Sequence, residues 1–177
     1  VCYDESGNLR YSRKGGFIMK AFSPDALSVF GTNWALLTAG TPDSFNTMTI
    51  GWCGVGRMWN KPAVTVYVRE SRYTLEFMDR NDYFTVSIFP DEFKADLSIL
   101  GTKSGRDCDK IALTHLTPKP VGESMGFSQA SVTLLCRKRY KQFMDLEAMP
   151  EDVRNGFYAD GDVHYMFIGE VIDVIEA

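Results

Sequence analysis

Four short stretches carry the residue types from which a binding or redox site could be built. The first is Asn46-Thr47-Met48-Thr49-Ile50-Gly51-Trp52-Cys53-Gly54, in which four of nine positions are threonine or glycine. Read as one strand, its period of two sends Thr47, Thr49, Gly51 and Cys53 to one face and Met48, Ile50 and Trp52 to the other. The bulky face is expected to fill a core. The small polar face admits either a flat ligand brought close to the backbone or a crowded barrel interior or subunit contact, and the pattern leaves both open. The second stretch, Arg69-Glu70-Ser71-Arg72-Tyr73-Thr74, falls where a strand ends and a helix begins. Ser71 is placed as N-cap with Thr74 at the third helical position. Two arginines, two hydroxyls and unpaired helix-start N–H groups make a phosphate site, and an ordinary capped helix with solvated arginines is the competing reading.

The third, Gly101-Thr102-Lys103-Ser104-Gly105-Arg106-Asp107, lacks the G-x-x-x-x-G-K-[ST] spacing and is therefore no nucleoside-triphosphate loop. It reads either as a mobile cationic loop or as a solvated turn. Gly51, Gly54 and Gly56 likewise miss the dinucleotide fingerprint, because no helical pattern follows them before Pro62. The fourth, Gly161-Asp162-Val163-His164, puts a lone histidine at the start of a strand, where a structural role is the commoner one. Arg137-Lys138-Arg139 with Lys141 reads as a solvated strand face.

The bulk numbers narrow the classes of function. A chain of 177 residues suits one domain, and 45% hydrophobic with 24% charged residues is ordinary for a globular protein. Nineteen basic against 23 acidic side chains give a net charge of -4, so neither nucleic acid nor a membrane surface is expected as the main partner. Four scattered cysteines and two histidines form no zinc set, and a reduced, cytoplasmic chain is the expectation. No apolar run approaches the roughly 18–20 residues that span a bilayer. Residues 1–20 are polar and are expected to form a tail ahead of a domain over 21–177, with Cys2 leaving a lipid-anchored start as the alternative.

The elements that must position these stretches follow from periodicity and punctuation. Ser23-Pro24-Asp25 opens a short helix that Gly31 closes. Strands are expected over Asn33–Ala39, the Asn46–Gly54 stretch, Ala63–Arg69, Tyr83–Phe89, Ser128–Tyr140 and Val163–Val174. Short helices are expected over Tyr73–Arg80, Glu92–Leu100 and Asp107–Leu113. Many strands with only short helices between them predict a mainly β chain closed into a barrel, since the long crossover helices of parallel sheets are missing.

In this order and spacing, N-T-M-T-I-G-W, K-P-A-V-T-V-Y-V-R-E-S-R-Y-T, G-T-K-S-G-R-D and G-D-V-H-Y-M-F-I-G-E-V resemble the flavin reductase-like family, especially its flavoredoxin-like branch, over about Phe22 to Glu170. The resemblance implies the Greek-key split β-barrel that binds FMN. It implies that Asn46, Thr47, Met48 and Thr49 lie beside the isoalloxazine ring with Trp52 nearby. Arg69, Ser71, Arg72, Tyr73 and Thr74 would receive the FMN phosphate. Ser104, Gly105 and Arg106 would approach the flavin, often from the partner subunit of a homodimer. His164 matches a histidine near the nicotinamide or flavin and is the candidate catalytic residue, although Val163 here separates it from Asp162, where many relatives read G-D-H. No metal ligand is implied. The activity implied is hydride transfer from NADH or NADPH to FMN and electron delivery to a small-molecule or protein acceptor. Two alternatives stand beside it: an FMN electron carrier without NAD(P)H activity, and a split barrel that binds no flavin.

Overall fold

In the computed structural model, the structure describes residues 2–3, 9–12, 18–19 and 29–177. Three short strands, β1 (Cys2–Tyr3), β2 (Leu9–Ser12) and β3 (Ile18–Met19), form a small sheet. The expected helix opening at Ser23 lies outside the described residues. Gly31, expected to terminate it, instead falls inside a π-type turn over Val29–Asn33.

The main body is an antiparallel sheet of seven strands in the order β5-β4-β8-β11-β12-β7-β6. These are β4 (Ala35–Thr41), β5 (Ser44–Ile50), β6 (Cys53–Met58), β7 (Lys61–Arg69), β8 (Tyr83–Ile88), β11 (Val132–Phe143) and β12 (His164–Glu176). β5 and β6 stand at opposite ends of that order, yet only Gly51 and Trp52 separate them in the chain. Two linking residues reach at most about 11 Å. The sheet must therefore curl until its two ends nearly meet, which is the split β-barrel expected from the sequence.

The stretch from Asn46 to Gly54 is thus not one strand. It is the end of β5, a two-residue link and the start of β6. A tight hairpin then carries β6 into β7. Its two loop residues, Trp59 and Asn60, both have positive φ (50° and 58°), as a type I′ turn requires.

Alternation along the strands fills the barrel. Ala35, Leu37 and Ala39 of β4, Met48 and Ile50 of β5, and Val64, Val66 and Val68 of β7 join Phe84, Leu134 and Phe167 in one core. Each fully buried valine contributes on the order of 1.5–3 kcal/mol. Space inside is tight at Gly169, where a Cβ would lie 2.5 Å from Phe84 Cζ. A second core, with Leu36, Leu97, Leu100 and Phe127, lies on the outer side.

The helices are α1 (Thr74–Arg80), α2 (Lys94–Thr102), which follows a 3₁₀ turn over Asp91–Phe93, and α3 (Glu151–Phe157). A hairpin of β9 (Pro118–Val121) and β10 (Ser124–Phe127) occupies a proline- and glycine-bearing stretch where no strand is expected from the sequence. The helix expected over Asp107–Leu113 is absent; turns replace it, and Asp109 accepts the N–H groups of Ile111 and Ala112. β11 begins at Val132 rather than Ser128, because Ser131 turns to bond the Ile88 carbonyl through both its N–H and its hydroxyl. The basic run on β11 is also not simply solvated. Lys138 Nζ donates to the Met78 and Asp79 carbonyls at the end of α1, and Lys141 pairs with Asp79 at 2.7 Å.

Candidate functional site

The turn after β7 is built by backbone bonds. Arg72 N–H donates to the Arg69 carbonyl (3.0 Å), and Leu75 N–H to that of Arg72 (2.9 Å) as α1 begins. Tyr73 occupies the N-cap position without a side-chain cap. Ser71, expected there, points elsewhere: its N–H (3.0 Å) and its hydroxyl (2.7 Å) both donate to the Asp162 carboxylate. Burial alone would raise the Asp162 carboxyl, but the two Ser71 bonds and the charge of Arg69 outweigh it and hold it below its ordinary value.

Two other segments converge on this turn. From β5, the buried Asn46 donates through Nδ2 to the Thr74 hydroxyl at 2.8 Å. From the loop after α2, Gly105 backs onto the same amide, and a Cβ there would lie 2.4 Å from Asn46 Oδ1 and 3.3 Å from Tyr73 Cδ1. Only glycine fits so close an approach. Arg106 reaches back to the Ser71 carbonyl (3.0 Å) and Glu76 (2.8 Å), with its guanidinium 4.8 Å above the Tyr73 ring. Arg72 donates to the Gly101 carbonyl at 2.9 Å, and Ser104 Oγ accepts the Arg106 N–H. The loop thus folds onto the turn of its own chain. Beside it lies a cavity of about 320 Å³ lined by Asn46, Tyr73, Phe77, Gly105, Cys108 and Lys110, among others.

Lys110 was not singled out in the sequence. Its Nζ donates to the Leu100 (3.0 Å) and Lys103 (3.2 Å) carbonyls at the end of α2, and burial, with Arg72 nearby, lowers its pKa to about 8. A lysine at the head of Ile111-Ala112-Leu113 was the only signal available.

The small face of β5 is not open. Thr47 is fully buried, its hydroxyl 2.8 Å from that of Thr38 and 3.2 Å from the Leu37 carbonyl. Thr49 donates to the Leu97 carbonyl of α2, and a Cβ on Gly101 would lie 3.1 Å from its own Cβ. Small side chains at Thr47 and Thr49 therefore let β4 and α2 pack closely, as the crowded-interior alternative for that face has it. Met48 and Ile50 face the core as expected. Since β5 ends the sheet, its edge is what remains for a ligand to meet.

Trp52, expected behind β5, instead sits on the link and is 43% exposed. His164 lies under it, with ring centroids 4.8 Å apart, and is buried. Its Nδ1 is 3.0 Å from the Tyr158 hydroxyl. Burial first, and then the charge of Arg69 opposite it in the strand register, push its pKa down to about 4, so the imidazole is neutral. Arg69 itself is occupied, donating to the Asp162 (2.7 Å) and Phe157 (3.0 Å) carbonyls. A larger cavity, about 520 Å³, opens beside Trp52 against α3.

The structure thus brings Asn46, Arg72, Tyr73, Thr74, Ser104, Gly105 and Arg106 into one cluster. Asp162 joins Ser71 to it on one side, with Arg69, Trp52 and His164 beyond. Among the described residues there is no group of three or more His, Cys, Asp or Glu side chains that could hold a metal ion, and no helix long and apolar enough to cross a membrane.

A family sequence model described as flavin reductase like domain matches residues 27–177. No curated protein matches the chain. Among solved structures it is similar to a flavoredoxin from Methanosarcina acetivorans (22% identity, TM-score 0.63, covering 89% of this chain and 75% of that one). It is likewise similar to an FMN-binding protein from Thermus thermophilus solved with 1-cyclohex-2-enone (19%, TM-score 0.66, covering 95% and 80%). The flavoredoxin of Desulfovibrio vulgaris is a third (20%, TM-score 0.64, covering 94% and 76%).

Proposed function

Since this chain belongs to the flavin reductase-like family, we propose that it binds FMN and works as an oxidoreductase. It would accept electrons from NADH or NADPH and pass them to a small-molecule or protein acceptor, as a cytoplasmic homodimer. The observation that carries the reading is the convergence of three chain segments on one cationic, hydroxyl-bearing turn. Arg72, Tyr73 and Thr74 follow β7, Asn46 comes from β5, and Gly105 and Arg106 come from the loop after α2.

These residues fit a phosphate-bearing ligand. Arg72 and Arg106 supply positive charge at the surface, and the close approach at Gly105 would be filled by any side chain. Ser71 is a weaker phosphate candidate than its place in the sequence indicated, because both its donors are held by Asp162. Ring contacts fall to the β5 edge around Asn46–Thr49, with Trp52 flanking them. FMN, when bound, supplies the redox chemistry, so no acid–base pair is required of the protein. The protein's share is to hold the phosphate, orient the ring and limit water at it.

The absorbance spectrum of the purified protein tests the FMN reading: flavin bands, or their appearance on adding FMN at micromolar concentration, are expected. Colourless protein that takes up no FMN overturns it. Anaerobic addition of NADH and of NADPH then tests the reductase reading, with bleaching of the flavin bands expected. A second reading, an FMN electron carrier without NAD(P)H activity, is favoured by His164. That histidine is buried, neutral and bonded to Tyr158 rather than presented to a substrate. Flavin bands unchanged by both nucleotides would select it.

A further inference from the structure

The β6–β7 hairpin displays an aromatic residue where its turn does not favour one. Both loop positions of a type I′ turn ordinarily carry asparagine or glycine, and Asn60 conforms. Trp59, at φ 50°, is instead a bulky side chain held in the left-handed region, where it strains the backbone. Little of its ring goes into packing: Trp59 is 57% exposed, and Met58 beside it is exposed too. Strain of this kind persists where the side chain it displays has a use.

Behind Trp59 lies a cavity of about 280 Å³, lined by Met58, Trp59, Lys61, Ala63, Arg139 and Glu170. Val64 and Val66 point into the barrel core, so Ala63, which alternates with them, places this cavity on the outer face of the sheet. Its volume is just under the usual range for ligand sites, enough for one ring.

The two cations of the cavity are unequal. Lys61 Nζ meets both carboxylate oxygens of the buried Glu170, at 2.7 and 2.8 Å. Arg139 reaches Glu170 only through Nε, at 3.5 Å, and among the described residues its guanidinium donates no hydrogen bond. The strand aims it there. Lys138 pairs with Gly169 and Tyr140 with Ile168, which leaves Arg139 as the extra residue of a β-bulge, a device that re-aims a side chain. The basic run of β11 thus divides: Lys138 and Lys141 hold the end of α1, while Arg139 presents an unengaged planar fork to the cavity.

An exposed ring and an unengaged guanidinium around one small cavity match the two halves of one ligand. The fork can donate two parallel hydrogen bonds to a carboxylate. A ring stacked on Trp59 buries its apolar surface against Met58 and Ala63. A cationic ligand would meet Arg139 and Lys61 instead, and a fused ring system exceeds the volume. We propose that this cavity binds a single-ring aromatic carboxylate, with the carboxylate on Arg139 and the ring on Trp59. None of its residues is among those assigned to FMN.

The test titrates the full, nitrogen-isotope-labelled chain with benzoate while NMR follows the indole N–H signals of its three tryptophans. The Trp59 signal is the one lost in Trp59→Phe. A saturable shift of that signal is expected, with a Kd of about 1 mM or tighter for a ligand of this size. Benzamide, which keeps the ring, and acetate, which keeps the charge, should each bind about tenfold weaker or worse. Arg139→Gln should weaken benzoate about tenfold and leave benzamide unchanged. Ala63→Leu, which fills the cavity without altering charge, should abolish both shifts, and the dispersion of the other amide signals reports whether each variant is folded. No saturable shift, benzamide binding as tightly as benzoate, or benzoate binding indifferent to Arg139→Gln overturns the proposal. So does displacement by saturating FMN, which would assign the cavity to the flavin. A Trp59 signal that moves on dilution of the protein alone overturns it as well, marking the cavity as a contact between copies of this chain.

Discussion

Adding one carbon at Gly105 tests the construction of the arginine cluster. A Cβ there would stand 2.4 Å from Asn46 Oδ1, a distance real atoms do not tolerate, while Tyr73 Cδ1 at 3.3 Å needs to yield only slightly. In Gly105→Ala the Asn46 amide must therefore swing away and release the Thr74 hydroxyl it holds at 2.8 Å. Both residues are buried, so the loss is that of a buried hydrogen bond with one partner stranded, about 1–3 kcal/mol. For a chain of this size that lowers the thermal midpoint by about 2–4 °C per kcal/mol. Asn46→Ala removes the same bond and should cost a similar amount. The double variant should cost no more than either single one, since the obstructing amide and its bond are already gone. A double-mutant cycle by urea or thermal unfolding would read a coupling of about 1–3 kcal/mol. Strictly additive effects, or a Gly105→Ala protein as stable as the parent, would refute the idea that Gly105 is small in order to seat Asn46.

Arg72→Ala should weaken FMN binding about tenfold, riboflavin much less, with the fold intact; equal losses for the two flavins would remove the phosphate assignment. Asp162→Asn deletes a negative charge beside that turn and should tighten FMN about two- to fivefold relative to riboflavin, a change of roughly 0.4–1 kcal/mol, read by fluorescence titration. His164 titrates near 4 when folded against an ordinary 6.5, so the unfolded chain binds the extra proton between those values. Stability should therefore fall as pH drops from 6.5 toward 4, by up to about 1.4 kcal/mol per pH unit, and unfolding of His164→Gln over that range should show a flatter profile. Gly169→Ala forces a methyl against Phe84 and should cost about 1–3 kcal/mol by denaturant melt, with FMN affinity unaffected.

Strand alternation carried most of the fold into legibility. The valines of β7 and the apolar positions of β4 and β8 repeat every second residue, and their core assignment follows directly. Segments governed by a few polar bonds were opaque. Asp109 and Ser131 each redirect the backbone through local hydrogen bonds that residue propensity does not rank, so an expected helix became turns and a strand began late. The site was legible as residue types and order, less so as roles. Ser71 looked like a helix cap because the sequence does not reveal that Asp162, far along the chain, returns to take its donors. The small face of β5 was visible as a pattern, but its occupant, α2, could not be read from β5 alone.

The strand order has a consequence for how the protein is made. β7 is synthesised early, yet its partner β12 is the last long strand, with His164 pairing back to Arg69. At about 5–20 residues per second, a nascent β6–β7 hairpin waits roughly 5–20 s with one flank unpaired before β12 leaves the ribosome. Pairing so distant in sequence also slows folding after release. The junction of Arg69, Ser71, Asp162 and His164 cannot exist until that last strand docks. A chain stalled or clipped upstream of it carries the arginine turn without its clamp and leaves a bare valine-rich strand open to other chains.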